Sequence, residues 1–485
     1  MSRIAPVLHV LSKVAMLFAM TFLVPLALSW MLDDGAQRAY DEAILITFSA
    51  GALIWFFTRK SHRELQTRDG FLLVLLAWTG LPLFATLPLM IHLPDLSFTD
   101  AYFETVSGIT TTGSTILTGL DALPPSINLW RGLLVWFGGM GLIVLAVAIL
   151  PLLGVGGMQI YKAETPGPMK DTKLTPRITE TAKGLYLVYL GISAACALSY
   201  WLAGMTPFDA VMHTFSTMGL GGFSSHDASF GYWNSPAIEA VAILFMLIAG
   251  VNFATHFLAW RQRALTAYRM DPEVRWFLVA TLGSAFLIAI FLYVHHIYPD
   301  FSQALRFAAF NTVSIATTTG FASTDYYLWP IFAPLWMLFL SCFASCSGST
   351  GGGMKMVRAQ LLFRQGRREL TRLVHPAARL PVKLAGQIVP NNIIYAVLAF
   401  AFLYVFAIIA MTLALTASGL EFITAFSAVV ASINNTGPGL NQVGPATTYA
   451  SLSDFQTWIC TIAMLLGRLE LLTVLVVFTR TFWRA

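Results

Sequence analysis

Gly113, Gly222, Gly320 and Gly437 stand 109, 98 and 117 residues apart, each at the end of a short, mostly apolar stretch. The residue twelve places earlier is alanine in all four: Ala101, Ala210, Ala308 and Ala425. Six places earlier stand Ser107, Ser216, Ser314 and Ala431. Such register identifies four copies of one unit. The residues at each glycine carry no charge: Thr110-Thr111-Thr112-Gly113, Gly219-Leu220-Gly221-Gly222, Thr317-Thr318-Thr319-Gly320 and Asn434-Asn435-Thr436-Gly437. A cation site built without carboxylates must use other oxygens, and backbone carbonyls are the available set. Turning successive carbonyls to one side needs residues at positive φ, which glycine adopts at little cost. Rings of carbonyls that replace a hydration shell are one known basis of ion selectivity.

The elements that must hold these segments are helices in a bilayer. Of 485 residues, 57% are hydrophobic and 11% charged, against about 25% charged in a soluble domain. A span needs roughly 20 apolar residues. Ten are expected, near 12–32, 43–58, 71–91, 129–151, 184–204, 236–260, 276–297, 330–362 (interrupted), 391–416 and 455–479. The first is too long for a cleaved signal, and no A-x-A site closes it. The fold class is therefore an all-α polytopic membrane protein. Residues 1–70 supply two additional N-terminal helices. Four helix–pore loop–helix repeats follow at 71–160, 161–270, 271–383 and 384–485, around one central pore.

Between the two helices of each repeat the apolar run is too short to span. It reads as a re-entrant helix followed by extended backbone. Irregular backbone at membrane depth is tolerated only where it is buried in protein or lines a cavity, so the four segments should line a polar pathway. Helix starts are expected at Thr99 or Asp100, Thr206 with Pro207, Asp300 with Ser302, and Ser418. The C-terminal ends, each about half a negative charge, would face the axis and favour a cation.

Lys and Arg gather at 59–68, 162–183, 261–275 and 355–383, and Arg480 and Arg484 lie near the C-terminus. The positive-inside rule places these loops and both termini in the cytoplasm. No soluble basic domain exists to bind nucleic acid. Cys196, Cys342, Cys346 and Cys460 all fall in apolar runs, which argues for small buried residues over a metal site. No paired acids, H-E-x-x-H or nucleophile elbow lies in the spans, so an enzyme is not expected. Gly348 to Gly353 has the glycine spacing of a P-loop, but Met354 holds the lysine position; no nucleotide site is expected.

Taken together, these features resemble the Trk/Ktr/HKT superfamily of potassium transporters over about residues 71–485. The resemblance rests on the four filter segments, the glycine-rich break in the third inner helix and an arginine in the fourth. The two extra N-terminal helices make the chain most similar to the bacterial TrkH branch. The resemblance implies K⁺ bound in the pore, uptake across the bacterial inner membrane, a homodimer and a cytosolic, nucleotide-binding regulatory subunit of the TrkA type. It also implies that Gly348, Ser349, Thr350, Gly351, Gly352 and Gly353 form an intramembrane gate below the filter, with the break after Phe343. Arg468 would face the pore beside it, where its charge opposes cation passage. The competing view of Arg468 is a structural ion pair, although Glu470, two residues on, does not share its helix face. Plant members with Ser at the first-repeat position transport sodium, so Gly113 argues for potassium. A coupled K⁺/H⁺ or K⁺/Na⁺ symporter is the alternative, for which Glu104 and His213 are the candidate titratable groups. With Asn311 they share one repeat position, where a hydrogen-bond scaffold competes with a relay. Asp33, Asp34, Asp121, Asp227 and Asp325 are expected to be solvated at the outer face.

Overall fold

The computed structural model describes residues 4–60, 65–144 and 178–484. The basic loop at 162–177 and the end of the first inner span lie outside them. Among the described residues, six helices are long and apolar enough to cross a membrane: Ala5–Leu32, Gln37–Thr58, Arg68–His92, Lys183–Leu202, Val274–Val294 and Asn391–Ala417. Large apolar side chains such as Leu17, Trp30, Phe57, Leu287 and Phe402 lie on their outer faces, exposed. Lipid tails are the solvent in which that costs nothing.

Each repeat runs outer helix, pore helix, filter segment, inner helix. The pore helices are Phe98–Ile109, Pro207–Gly219, Phe301–Ala316 and Phe422–Ile433. Their starts only partly match expectation. Thr206 caps the second, its hydroxyl accepting the Asp209 N–H at 3.1 Å. The first is capped by Ser97, not Thr99 or Asp100; Asp100 supplies the N–H donor instead. Asp300 and Glu421 occupy the other two cap positions without a side-chain bond. Ser418 closes the preceding outer helix rather than opening the pore helix. The chain turns three residues later than the cap preference suggests, because Leu420 N–H first bonds back to the Leu415 carbonyl.

The inner helices depart further from the ten spans expected, only one of which, 330–362, carries an expected interruption. The first is Pro125–Val144. The second is two helices, Pro236–Ala249 and Phe253–Gln262, bent by 91°. The third ends at Ser341, two residues before the expected break, and a new helix begins only at Met356. The fourth is Asp454–Arg468 and Leu471–Val477, bent by 107°. A lone glycine stands at each extra bend, Gly250 and Gly467, without the glycine run that marks the third inner helix; Asn252 opens its new helix by accepting the Ala254 N–H, and Glu470 turns the chain at φ 61°.

The repeats close on themselves. The first inner helix packs on the second pore helix, the second on the third, the third on the fourth, and the fourth on the first. Glycine permits the closest approach at two of these inner helices. A Cβ on Gly138 would stand 2.0 Å from the Ile109 carbonyl oxygen, and one on Gly467 2.0 Å from that of Ile433. Helix propensity favours alanine over glycine by about 1 kcal/mol. Overpacking against backbone costs typically 1–3 kcal/mol, occasionally more, and a pore-helix carbonyl cannot move aside. Packing should win: Gly138→Ala is expected to lower the unfolding midpoint in detergent. Gly283→Ala, where nothing lies within 4 Å of the new methyl, should hold or raise it. The pair of melting curves checks the sign.

Candidate functional site

The four pore helices end in the same hydrogen-bonded turn. Thr112, Gly221, Thr319 and Thr436 N–H groups bond back five residues, to the carbonyls of Ser107, Ser216, Ser314 and Ala431, at 2.8–2.9 Å. Thr111, Leu220, Thr318 and Asn435 N–H groups bond back three. This is a Schellman closure, and it requires a left-handed residue just past the helix. Those residues are Thr111, Leu220, Thr318 and Asn435, with φ of 52–63°. Threonine, leucine and asparagine replace the glycine that such a position favours, so its geometry was hidden in the sequence.

The second left-handed position is the repeat glycine: φ is 80° at Gly113, 61° at Gly222, 89° at Gly320 and 99° at Gly437. Left-handed residues two apart turn the intervening carbonyls to a common side. The four segments also meet. A Cβ on Gly113 would lie 2.2 Å from the Gly221 oxygen, one on Gly222 2.3 Å from Thr319 O, and one on Gly320 2.1 Å from Thr436 O. One on Gly437 would lie 2.8 Å from Thr112 O, which returns to the first repeat. Every glycine faces the carbonyl that precedes the next repeat's glycine, and the circuit is closed. Outside it lies a cavity of about 410 Å³ to which all four repeats contribute, with Gly113, Gly222, Gly320 and Pro438 at its floor. A closed circle of uncharged carbonyls beneath a wet mouth can strip and replace the water of a monovalent cation.

Behind the circle, each repeat holds its ascending segment differently. Glu104 accepts the Ile116 N–H at 2.9 Å and the Thr115 hydroxyl at 3.0 Å. His213 meets the Ser224 hydroxyl at 2.9 Å. Asn311 accepts the Ser323 N–H at 3.2 Å and donates to its hydroxyl. In the fourth repeat the job passes to Ser427, which accepts the Leu440 N–H at 2.8 Å. The scaffold reading of this register therefore describes the contacts. Glu104 is also ion-paired with Arg131 at 2.9 Å, both side chains 1% exposed. Arg131 donates further to Ser224 O and Thr115 Oγ1, joining the ascending segments of the first and second repeats, and lies over the Phe223 ring. Sequence reasoning passed over it, although one arginine inside an apolar run was a legible signal.

The candidate gate residues come together below the circle. Gly352 N–H donates to Thr318 Oγ1 at 2.7 Å, and Thr350 Oγ1 to Met218 O at 2.8 Å. A Cβ on Gly352 would sit 1.9 Å from Asn434 O. Arg468, 3% exposed, donates to Thr350 O at 2.9 Å and Gly138 O at 3.0 Å. It does not pair with Glu470, which holds Arg358 instead at 2.9 Å. Gly348 and Gly353 adopt positive φ, while Ser349 and Gly351 are buried between them.

The outer acids are not simply solvated. Asp34 accepts the Ser126 N–H, Asp227 the Leu120 N–H and Asp325 the Tyr327 N–H. Asp121 pairs with His226, which lies 3.4 Å from Asp209 and stacks on Tyr232. Burial opposes charge on His226, but the Asp209 and Asp121 carboxylates outweigh it and raise its pKa. Burial likewise disfavours the Asp121 carboxylate, and the His226 bond reverses this and lowers its pKa. The histidine's contribution to stability is thus complete below its ordinary value of about 6.5 and is lost as pH rises through the raised one. The acids' contribution is lost only as pH falls below about 3.9. The unfolding midpoint in detergent should therefore fall as pH rises above about 6.5, and that fall should shrink in His226→Gln. An equal fall in the variant would place the titrating group elsewhere.

Residues 37–484 match the TrkH family model, described as a cation transport protein. The chain is 46% identical over 482 residues to the Trk system potassium uptake protein TrkH of Vibrio parahaemolyticus, covering 99% of each. It is 47% identical to the protein of the same name from Halomonas elongata, covering 99% of each, and 45% to that of Escherichia coli K12, covering 98%. It superposes on the crystal structure of the potassium transporter TrkH from Vibrio parahaemolyticus with TM-score 0.91 and 43% identity, covering 99% of this chain and 100% of that one.

Proposed function

This chain belongs to the TrkH family of cation transport proteins, and from that premise we propose that it takes up potassium through a gated, channel-like pore with a backbone-carbonyl selectivity filter. The observation that carries the reading is the closed circuit in which each filter glycine abuts the carbonyl of the next repeat. Potassium is the cation in the names of the relatives that span the full chain. Its weak hydration suits a site of uncharged oxygens. Among the described residues no cluster of three His, Cys, Asp or Glu side chains is arranged for a metal ion, so carbonyls remain the natural ligands. Thr110–Gly113, Gly219–Gly222, Thr317–Gly320 and Asn434–Gly437 are the segments assigned to the filter. Coupled symport is the weaker reading, because Glu104 and His213 are engaged in holding the filter.

The loop from Gly348 to Gly353 is assigned as the gate, with Arg468 fixing it. Its bonds to Thr350 and Gly138 place a positive charge beneath the filter and tie the loop to the first inner helix. Each chain would contain its own pore. The bacterial inner membrane, cytoplasmic termini, a homodimer and a nucleotide-binding subunit of the TrkA type complete the proposal. The helix Met356–Val374, with its row of arginines and exposed Phe363, Leu370 and Leu373, is the docking element assigned to that subunit in this proposal.

Two measurements test the assignment. In proteoliposomes with K⁺ inside and Na⁺ outside, Gly113→Ser or Gly320→Ser should move the reversal potential toward zero, because the new Cβ is forced into a carbonyl of the neighbouring repeat. Unchanged selectivity in all four single glycine variants would remove the filter assignment. For the gate, Arg468→Ala should raise ⁸⁶Rb⁺ uptake per folded protein without changing ion preference. Two unit charges 4 Å apart interact by about 4 kcal/mol at an effective dielectric of 20, and screening by water leaves a fraction of that. Lower uptake together with a markedly lower melting temperature would assign Arg468 to the scaffold.

A further inference from the structure

Glu273 immediately precedes the third outer helix, Val274–Val294, and is 1% exposed. One of its oxygens, Oε1, accepts three hydrogen bonds. They come from the Ser347 N–H at 3.1 Å, the Ser347 hydroxyl at 3.2 Å and the Val357 N–H at 2.9 Å. Ser347 enters the intramembrane loop, and Val357 lies in the first turn of the helix that leaves it. A single carboxylate oxygen therefore spans both ends of the loop. It also sits between the N-terminal ends of two helices, Val274–Val294 and Met356–Val374, where negative charge is favoured.

The loop is held at several points. Its middle is tied by bonds from Gly352 N–H to Thr318 and from Thr350 to Met218, and by the Arg468 guanidinium on Thr350 O and the Lys355 ammonium on Gly351 O. Its ends are tied to Glu273 by three hydrogen bonds gathered on one oxygen. Further bonds at the entry are neutral: Cys346 N–H to Gly250 O and Phe253 N–H to Gly348 O, both at 3.1 Å. Glu273 is itself fixed, since its N–H bonds to Asp271 Oδ1 at 2.9 Å and Asp271 Oδ2 accepts the Thr255 hydroxyl. The loop cannot move away from the filter as a unit while both Ser347 and Val357 remain on one oxygen.

We propose that Glu273 is a positioning residue for the gate, whose carboxylate clamps both ends of the intramembrane loop and holds the shut arrangement. The proposal rests on the gate reading above and extends it to a residue outside the loop and outside the pore. Loss of the clamp favours the displaced loop and raises basal flux, leaving the filter untouched. Glutamine keeps an acceptor oxygen at Oε1, at the cost of repacking the other carboxyl position, and so retains part of the clamp.

The test is ⁸⁶Rb⁺ uptake into proteoliposomes containing the full chain, per folded protein, with the K⁺ dependence measured alongside. Glu273→Leu, which removes three hydrogen bonds at once, is expected to raise maximal uptake about tenfold. The half-saturating K⁺ concentration and K⁺-over-Na⁺ preference should not change. Glu273→Gln should fall between wild type and Leu. Should Glu273→Leu fail to fold, Ser347→Ala, which deletes only the hydroxyl contact, should raise uptake about twofold. A variant with alanine at Gly348, Gly351, Gly352 and Gly353 runs in parallel. If that variant alters uptake while folded Glu273 and Ser347 variants match wild type, the clamp is overturned and the gate stands. If none alters uptake, both are overturned. Reduced uptake with Gln no better than Leu would make Glu273 a structural residue only.

Discussion

A carbonyl oxygen at membrane depth must find a partner or face water or an ion, and in this chain four of them lie against glycines that have no Cβ to obstruct them. Most of the architecture follows from keeping that contact in place. The glycine must be left-handed, and the residue two before it must be left-handed as well, so every pore helix ends in the same Schellman closure. The pore helices must converge, so each inner helix packs on the next repeat's pore helix and the chain closes into a ring. Gly138 and Gly467 then allow two inner helices to approach pore-helix carbonyls at distances no side chain permits.

The ring is fourfold in backbone but not in side chains. Four different devices hold the four ascending segments: a buried ion pair, a histidine, an asparagine and a serine. Breaking a buried pair such as Glu104–Arg131 typically costs 3–5 kcal/mol, whereas a neutral hydrogen bond contributes about 1 kcal/mol net. The first repeat, coupled to the second through Arg131, is therefore the more rigid part of the filter. The third and fourth, held by neutral groups, stand beside the loop that contacts Thr318 and Asn434.

The four glycines and the apolar runs were legible in sequence because they depend on rules with few exceptions: glycine at positive φ, and about 20 apolar residues per span. The left-handed Thr111, Leu220, Thr318 and Asn435 were not, since their conformation is imposed by the closing hydrogen bonds and contradicts local preference. The bends after Ala249 and Arg468 were missed for a related reason. At the first of them the freed Gly250 carbonyl and Phe253 N–H find partners on the third repeat, and no local signal records a tertiary partner. Ser418 had the right chemistry for a cap but the wrong neighbours. The outer acids read as solvated because charge alone is visible in sequence, whereas Asp34, Asp121 and Asp227 are tied to N–H groups or to a histidine far along the chain.

The central claim is that cations are coordinated by the carbonyl circuit, not by the acids of the mouth. Crystals grown in Tl⁺ and measured for anomalous scattering address it directly. The account predicts density on the ring axis, within about 3 Å of the carbonyls of Thr112, Gly221, Thr319 and Thr436. Density beside Asp121, Asp209 and Asp227 with an empty ring would contradict it.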